Sequence, residues 1–413
     1  MNSTITSSGQ KEFRSGTHRT LAPEITLARA RRIMPALGIT RVADITGLDD
    51  IGVPVATAYR PNARSLAVSL GKGLDLQAAK ASALMESIET WHAERIHLPL
   101  LLASVSELRF KHRLAEVQRL PRIAEGELHD HLRMLWIEGE EIGSKEARWV
   151  PFEIVNMNFT LPLPTGSGAL LCGSNGLASG NHLLEATSHA ICELVERDAM
   201  TLWRAWRPEQ KRNRRLNLST VDDRGCQSVL GRFERANVAC AVWEVTSDVG
   251  LPVFRCLIAE SDASAARTHL PGVGSGCHPD KRIALLRALT EAAQTRLTLI
   301  AGSRDDLGVG FYAAAQDRAR HEKILSEIRD EPETRSFADV VSFESDTCEA
   351  DVLWEHERLR AVGCAEVVRI NLTKPEFGIP VVRIVIPGLE GTADATGYVP
   401  GPRFVRQVTE AAS

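Results

Sequence analysis

The feature that most constrains this chain is a glycine-led segment that occurs three times with nearly the same spacing. In the central copy Gly180 precedes Ala186 by six residues, and Ala186 precedes Glu193 by seven. Glu196 follows Glu193 by three residues, so the two carboxylates share one face of a helix. The pattern predicts a helix that begins soon after a glycine and carries a carboxylate pair.

The other two copies support the same interpretation. The second copy has identical spacing and consists of Gly73, Ala79, Glu86 and Glu89. The third copy is looser, because Gln294 replaces the second glutamate after Glu291, and the nearest glycine, Gly276, lies two residues further from Ala284. One such acidic pair is common on solvated helices, but three matched copies behind glycines indicate a shared function.

The charges around these segments predict a site for a nucleoside triphosphate. Paired carboxylates repel each other unless a cation lies between them, and their hard oxygen atoms suit Mg²⁺. Helix N-termini and glycine turns attract phosphate, and Lys72, Arg197 and Arg287 add positive charge. Taken singly, Lys72 has a simpler explanation as a solvated lysine, Ser82 as a packing residue and Gln294 as a buried amide.

Composition excludes several other classes of protein. The net charge of −4 argues against a general nucleic-acid binder. No apolar run reaches the ~18 residues that a membrane helix needs, and residues 1–10 lack a signal-peptide core. The eight cysteines contain no C-x-x-C pair, which is typical of reduced thiols and predicts a cytoplasmic protein.

The order of elements predicts an α+β fold with mixed sheets. We expect a disordered segment at 1–15, one catalytic domain at 16–405 with peripheral parts at 98–145 and 305–335, and a tail at 406–413. Gly272–Gly276 is expected to open the third glycine-led helix. Further predicted elements are helices at Glu24–Leu37, Ser106–Val117 and Tyr312–Arg329, a strand at Trp149–Phe159, and a hairpin of Val238–Val245 with Val253–Ile258.

The motifs in combination resemble those of the YcaO superfamily, from about Gly16 to Pro402. The matching motifs are Ser82 with Glu86-x-x-Glu89, Ser174-Asn175-Gly176 with Gly180-Asn181, Glu193-x-x-Glu196-Arg197, and Glu291-Ala-Ala-Gln294-Thr-Arg296. The resemblance implies a YcaO-type fold around a nucleotide site, and an enzyme that uses ATP and Mg²⁺ to phosphorylate the oxygen of a peptide-bond amide. Attack by a Cys, Ser or Thr side chain then gives an azoline, whereas an external sulfide gives a backbone thioamide.

The resemblance also implies roles for individual residues. The expected Mg²⁺ ligands are Glu86, Glu89, Glu193 and Glu196. The residues expected to contact ATP or support the metal are Ser82, Asn181, Arg197, Arg287, Glu291 and Gln294. Glu193, Glu196 and Arg197 are the expected catalytic residues, whereas Arg296 belongs to the motif but lies off the helical face of Glu291.

Two departures from the family pattern point to one subgroup. Where members often have a lysine beside the N-terminal glycine, this chain offers Arg14 or Arg19, and the sequence leaves the choice open. The proline-rich tail of azoline-forming members is reduced to Pro400-Gly-Pro402, and no fused leader-binding domain is apparent. Both departures favour thioamidation of a ribosomally synthesised precursor peptide with a separate TfuA-type partner.

Three alternatives remain at this stage. The chain is a cyclodehydratase that makes azolines, a carboxylate-rich Mg²⁺ hydrolase of phosphates, or a non-catalytic YcaO-like scaffold in a maturation complex. The four intact glutamates argue against the scaffold. A homodimer is one oligomeric state that the sequence allows.

Overall fold

The computed structural model describes residues 9–261, 271–304, 306–310, 312 and 317–412. These residues form two compact units, each assembled from discontinuous segments. Unit 1 comprises the described residues of 1–22, 89–202 and 343–413, and unit 2 those of 23–88 and 203–342. The prediction of one catalytic domain over 16–405 is not tested by this division and stays a prediction.

Runs of strands are followed by one or more helices along the chain, as expected for an α+β protein. They are α1 Pro23–Leu37, α2 Leu76–Glu94, α3 Val105–Leu108, α4 Leu183–Ala205, α5 Pro208–Arg212, α6 Arg224–Arg235, α7 Lys281–Ala301, α8 Arg318–Asp330, α9 Cys348–Ala361 and α10 Pro402–Ala412. Within the described ranges, none of the helices is both long and apolar enough to cross a membrane.

The strands are mostly short and pair antiparallel. They are β1 Arg41–Asp44, β2 Val55–Tyr59, β3 Val68–Lys72, β4 Leu100–Ala103, β5 Arg122–Ile123, β6 Met134–Glu141, β7 Ala147–Pro151, β8 Leu177–Ser179, β9 Val238–Glu244, β10 Val253–Glu260, β11 Gly272–Cys277, β12 Val368–Asn371, β13 Val381–Val385 and β14 Tyr398–Val399. The α+β prediction is therefore confirmed.

Unit 2 contains two three-stranded sheets, in the orders β1-β2-β3 and β11-β10-β9. The predicted hairpin is confirmed, since β9 and β10 pair with Phe254 opposite Glu244. The main core of this unit includes the buried side chains of Phe233, Phe254 and Phe337 together with residues of α7.

Unit 1 is built on a six-stranded sheet in the order β4-β6-β12-β13-β8, with β7 also paired to β6. Trp136 and Ile137 of β6 are fully buried, and Trp136 Nε1 donates to Ala103 O at 2.9 Å. The prediction that 98–145 is peripheral is therefore wrong for β6, because its apolar residues supply a central strand. The leucine-rich and charged residues of 98–145 gave no sequence signal that β6 pairs with strands from other parts of the chain.

The glycines before the three long helices allow strands to lie directly against helices. A Cβ on Gly274 of β11 would overlap Ala288 O and Ala292 N of α7, and a Cβ on Gly71 of β3 would overlap Ala83 N of α2. In unit 1 a Cβ on Gly180 would lie 2.8 Å from Ala186 N. The regular glycine-to-alanine spacing thus reflects close backbone packing.

Several predicted element boundaries differ from the structure. Gly272–Gly276 lies within β11 and does not open a helix, since α7 begins after the Asp280 cap. Only α3 forms in the region predicted as a helix up to Val117, and β7 ends at Pro151. The helix predicted from Tyr312 is observed from Arg318, while 311 and 313–316 lie outside the described residues.

The N-terminal segment was predicted to be disordered, and residues 1–8 lie outside the described residues. For 9–15 the prediction is wrong. Lys11 Nζ lies 2.6 Å from Asp351 Oδ2, and both side chains are almost fully buried. Because a lysine is rarely buried without a charged partner, this ion pair fixes the segment within unit 1.

We predict that Gly274→Ala destabilises the protein by about 1–3 kcal/mol or more, because the new methyl group overlaps the backbone of α7. Gly231→Ala is the matched control, since Gly231 lies in α6 with open space around its Cβ position. That control should gain up to ~1 kcal/mol from helix propensity. Urea denaturation measures both changes, and equal stabilities would contradict the packing role of Gly274.

Candidate functional site

In unit 1, one face of α4 brings two carboxylates and a guanidinium together. Arg197 Nη2 lies 3.7 Å from Glu193 Oε1, and Arg197 Nη1 lies 3.5 Å from Glu196 Oε1. The guanidinium therefore offsets the repulsion between the two glutamates. The Arg197 side chain remains 32% exposed.

Glu193 is oriented by the chain segment before β8. The backbone N–H of Gly176 donates to Glu193 Oε2 at 3.0 Å. Burial raises the pKa of Glu193, and the charge of Arg197 partly offsets the effect. A carboxylate that is costly to desolvate in this way is stabilised by a further cation.

Glu89 and Asn181, two other predicted residues of unit 1, are held by hydrogen bonds near the end of β8 and the start of α4. Ser179 of β8 donates to Glu89 Oε1 from its backbone nitrogen and from Oγ, at 2.8 and 2.7 Å. Asn181 N–H donates to Glu185 Oε1 at 3.2 Å, at the start of α4. The backbone of Asn181 is thereby fixed where the glycine segment meets the helix.

The structure separates the two candidate basic residues near the N-terminus. Arg19 lies 3.6 Å from Glu185, the residue that also accepts from Asn181. Arg14 instead pairs with the exposed Asp346 at 2.7 Å. Arg19 is therefore the one close to the start of α4, although its role stays a prediction.

In unit 2, Lys72 and Glu291 form an ion pair. Lys72 Nζ lies 2.7 Å from Glu291 Oε2, and only 18% and 24% of the two side chains are exposed. The alternative of a solvated lysine is therefore wrong. The other oxygen of Glu291 accepts the backbone N–H of Ser275 at 3.2 Å.

Glu86 repeats the arrangement seen at Glu291. Leu70 N–H of β3 donates to Glu86 Oε2 at 3.2 Å, just as Ser275 N–H of β11 donates to Glu291. In both pairs the donor precedes the glutamate by 16 residues. Ser82 lies one turn before Glu86 on α2 and is half-buried.

The motif at the end of the third copy contains residues with different surroundings. Gln294 Oε1 is buried and has no hydrogen-bond partner among the described residues, so it fits a donor from a ligand. Arg287, one turn before Glu291 on α7, is half-buried. Arg296 is buried between Asp49 at 3.2 Å and Glu260 at 2.8 Å, which assigns it a structural role.

These residues have the donor set that Mg²⁺ and a phosphate-bearing ligand require. Carboxylate oxygens are hard ligands, and Gln294 Oε1 supplies an unused acceptor. The described part of the chain contains no group of three or more His, Cys, Asp or Glu side chains placed to hold a metal ion. Mg²⁺ at phosphate sites is usually bound by one or two carboxylates, with waters and phosphate oxygens completing the shell.

Asp198 directly follows Arg197 in the sequence but pairs with a different arginine. Asp198 is fully buried and accepts from Arg403 Nε and Nη2 of α10, both at 2.9 Å. Asp198 Oδ1 also accepts the backbone N–H of Glu390 at 2.9 Å. No local pattern links positions so far apart in the sequence.

Arg383 is the residue near this site that the sequence interpretation missed. It lies in β13, is 1% exposed, and donates to the carbonyls of Gly173 and Asn175 at 2.7 and 2.6 Å. Burial lowers the pKa of Arg383 to about 10, so the guanidinium stays charged at neutral pH. A single arginine within an apolar strand is the signal that could have identified it.

We predict stability losses of different size for the two neighbouring ion pairs on α4. Arg403→Met leaves Asp198 buried without its partner and should cost about 3–5 kcal/mol. Arg197→Met removes longer contacts of a partly exposed side chain and should cost less than Arg403→Met does. Urea denaturation of both variants tests this, and an equally large loss in Arg197→Met would show that Arg197 is a structural residue.

The chain is similar to a known protein family and to several relatives. The profile of the family described as "YcaO cyclodehydratase, ATP- and Mg²⁺-binding" matches residues 70–390. An uncharacterized Rhizobium leguminosarum bv. trifolii protein of the tfuA 3′ region is 34% identical over 400 residues, covering 96% of this chain and 94% of that protein. An uncharacterized Methanothermobacter thermautotrophicus protein is 31% identical over 375 residues, or 89% of this chain and 94% of its own length.

Solved structures share the fold at lower identity. YcaO from Methanopyrus kandleri, bound with AMPPCP and Mg²⁺, matches with a TM-score of 0.74 at 21% identity, covering 95% of this chain and 98% of that one. A heterocyclase in complex with substrate and cofactor matches with a TM-score of 0.75 at 22% identity. That match covers 92% of this chain but 53% of the heterocyclase chain, so this chain spans about half of it.

The family description names the two ligands, ATP and Mg²⁺, that the sequence predicted. The profile match extends over most of the chain, and the Rhizobium relative exceeds 30% identity across nearly its whole length. The chain therefore belongs to the YcaO family.

Proposed function

We propose that this chain uses ATP and Mg²⁺ to activate a peptide-backbone amide by phosphorylating its oxygen, for thioamide formation with a TfuA-type partner. The substrate is a precursor peptide or protein. The observation that carries the activation step is the pairing of Glu193 and Glu196 with Arg197 on one face of α4.

The chain's residues contribute binding and charge neutralisation. When bound, ATP would supply the phosphoryl group that turns the amide oxygen into a leaving group, and Mg²⁺ would neutralise phosphate charge. The proposed Mg²⁺ ligands are Glu89, Glu193 and Glu196 in unit 1 and Glu86 in unit 2. Backbone amides orient Glu193 and Glu86, which reduces the rearrangement needed on binding.

Other side chains are assigned to the nucleotide. In unit 1, the Arg197 side chain is partly exposed, and its planar guanidinium suits bidentate contact with a phosphate. In unit 2, Gln294 has an acceptor oxygen that no described residue uses. Proposed supporting residues are Ser82, Asn181, Arg287 and Glu291.

The thioamide assignment is supported by the relative named for the tfuA 3′ region, which aligns with 96% of this chain. The alternative product is an azoline, and the heterocyclase among the structural matches favours it as the second candidate. The activated amide is common to both routes, so the glutamate face does not distinguish them.

We predict that Glu193→Gln and Glu86→Gln each weaken binding of Mg²⁺–ATP by at least about tenfold, or 1.4 kcal/mol, because each removes a proposed anionic ligand. Isothermal calorimetry with ATP and Mg²⁺ measures this affinity. Glu357→Gln is the matched control, since it makes the same charge change at an exposed position of α9. Unchanged affinity in both test variants would contradict the assignment of the glutamates.

We predict that the purified chain with ATP and peptide turns over poorly, and that a TfuA-type partner with sulfide yields a product in which sulfur replaces oxygen. Mass spectrometry distinguishes this heavier product from an azoline, which has lost one water. Glu193→Gln, combined with the partner and sulfide, is the control for dependence on this chain. Efficient loss of water by the chain alone would overturn the thioamide assignment and favour the cyclodehydratase.

The same experiment separates the remaining alternatives. A phosphate hydrolase would release phosphate from ATP without peptide at the rate seen with peptide. A scaffold would bind its partners, yet Glu193→Gln would leave product formation unchanged.

A further inference from the structure

The peptide group that joins Asn175 to Gly176 connects a buried arginine with a proposed metal ligand. Its carbonyl oxygen accepts from Arg383 Nη1 at 2.6 Å. Its N–H, which belongs to Gly176, donates to Glu193 Oε2 at 3.0 Å. Because a trans peptide is planar, with C=O and N–H pointing in opposite directions, one rigid group spans the two side chains.

The hydrogen bonds of Arg383 are not those of a structural ion pair. They go to the backbone carbonyls of Asn175, Gly173 and Val155, at 2.6, 2.7 and 3.2 Å. Its Nε has no hydrogen-bond partner among the described residues, and the residue is 1% exposed. No carboxylate is in direct contact with this buried guanidinium among the described residues, although the charge of Glu193 partly offsets the cost of burial. An apolar side chain of similar volume would often be more stable.

The backbone at Gly176 is also held by β13. Gly176 has a φ of +78°, and a Cβ at this position would lie 2.5 Å from Ile384 O. Gly176 O accepts the backbone N–H of Ile384 at 2.8 Å. The carbonyl groups before and after Gly176 N–H are therefore both bonded to residues of β13, which restricts the orientation of that donor.

We infer that Arg383 is a positioning residue, which orients the Glu193 carboxylate through the Asn175–Gly176 peptide. The guanidinium holds the carbonyl and polarises the peptide, so Gly176 N–H becomes a stronger and better directed donor to Glu193. The inference rests on the proposed function, in which Glu193 binds Mg²⁺. Residues that orient metal ligands in this way commonly affect metal affinity without touching the metal.

The test compares two substitutions of Arg383. Arg383→Lys keeps the charge but loses the fork of donors, and Arg383→Met removes the charge while filling much of the volume. We expect each to weaken Mg²⁺–ATP binding by roughly tenfold to 100-fold in calorimetry. Hydrogen–deuterium exchange of a peptide covering 173–179 should accelerate in both variants. This measurement is made on the ligand-free protein and reports on Gly176 N–H directly.

Arg215 of unit 2 provides the matched control. It is 3% exposed, donates to the backbone carbonyls of Glu327 and Ile328, and also has an unpartnered Nε among the described residues. Arg215→Lys should lower the melting temperature about as much as Arg383→Lys does, but leave Mg²⁺–ATP affinity unchanged. Equal loss of affinity in both lysine variants would reduce Arg383 to a general structural role and overturn the inference.

A double-mutant cycle distinguishes this inference from the proposed function. In the Glu193→Gln background, Arg383→Lys should change Mg²⁺–ATP affinity less than about threefold, because both act through one carboxylate. Additive losses would overturn the positioning role while leaving the function intact. Unchanged affinity in Glu193→Gln alone would overturn the proposed ligand role of Glu193, and the inference with it.

Discussion

The close approach of a glycine-bearing strand to an alanine-bearing helix determines where the important carboxylates lie. With no Cβ between them, the strand backbone lies against the helix, and its N–H groups come within reach of a glutamate on the helix. Leu70 with Glu86 and Ser275 with Glu291 show this bond from strand residues, at a separation of 16 residues. Gly176, which directly precedes β8, makes a similar bond to Glu193 at a separation of 17 residues. The paired acidic residues are thus oriented by main chain, which is harder to displace than a side chain.

The sequence predicted the helices and their carboxylate pairs because both depend on local spacing. It did not identify the purpose of the glycines. A glycine gives the same sequence pattern whether it exposes backbone amides to a phosphate or allows a helix to pack closely. Gly272–Gly276 was therefore interpreted as the turn that opens a helix, whereas it forms part of β11. The strand character of that segment depends on pairing with β10, which is not a local property.

Residues that act across the chain were the least predictable. Lys11 pairs with Asp351, and Arg403 with Asp198, at separations that no periodic pattern covers. Arg383 was visible in the sequence as a lone charge in an apolar strand, but its meaning required the positions of the carbonyls of 173 and 175. Burial of such a residue constrains the surrounding backbone, because buried donors need acceptors within the fold.

The contacts between α4 and α10 connect the last helix to the candidate site. Arg403 of α10 donates to the buried carboxylate of Asp198, and Glu390 accepts from Tyr398, Gly401 and Phe404. Displacing α10 would leave the Asp198 carboxylate, which directly follows Arg197, without its arginine. A change in the packing of α10 would therefore affect the residue next to the proposed phosphate contact.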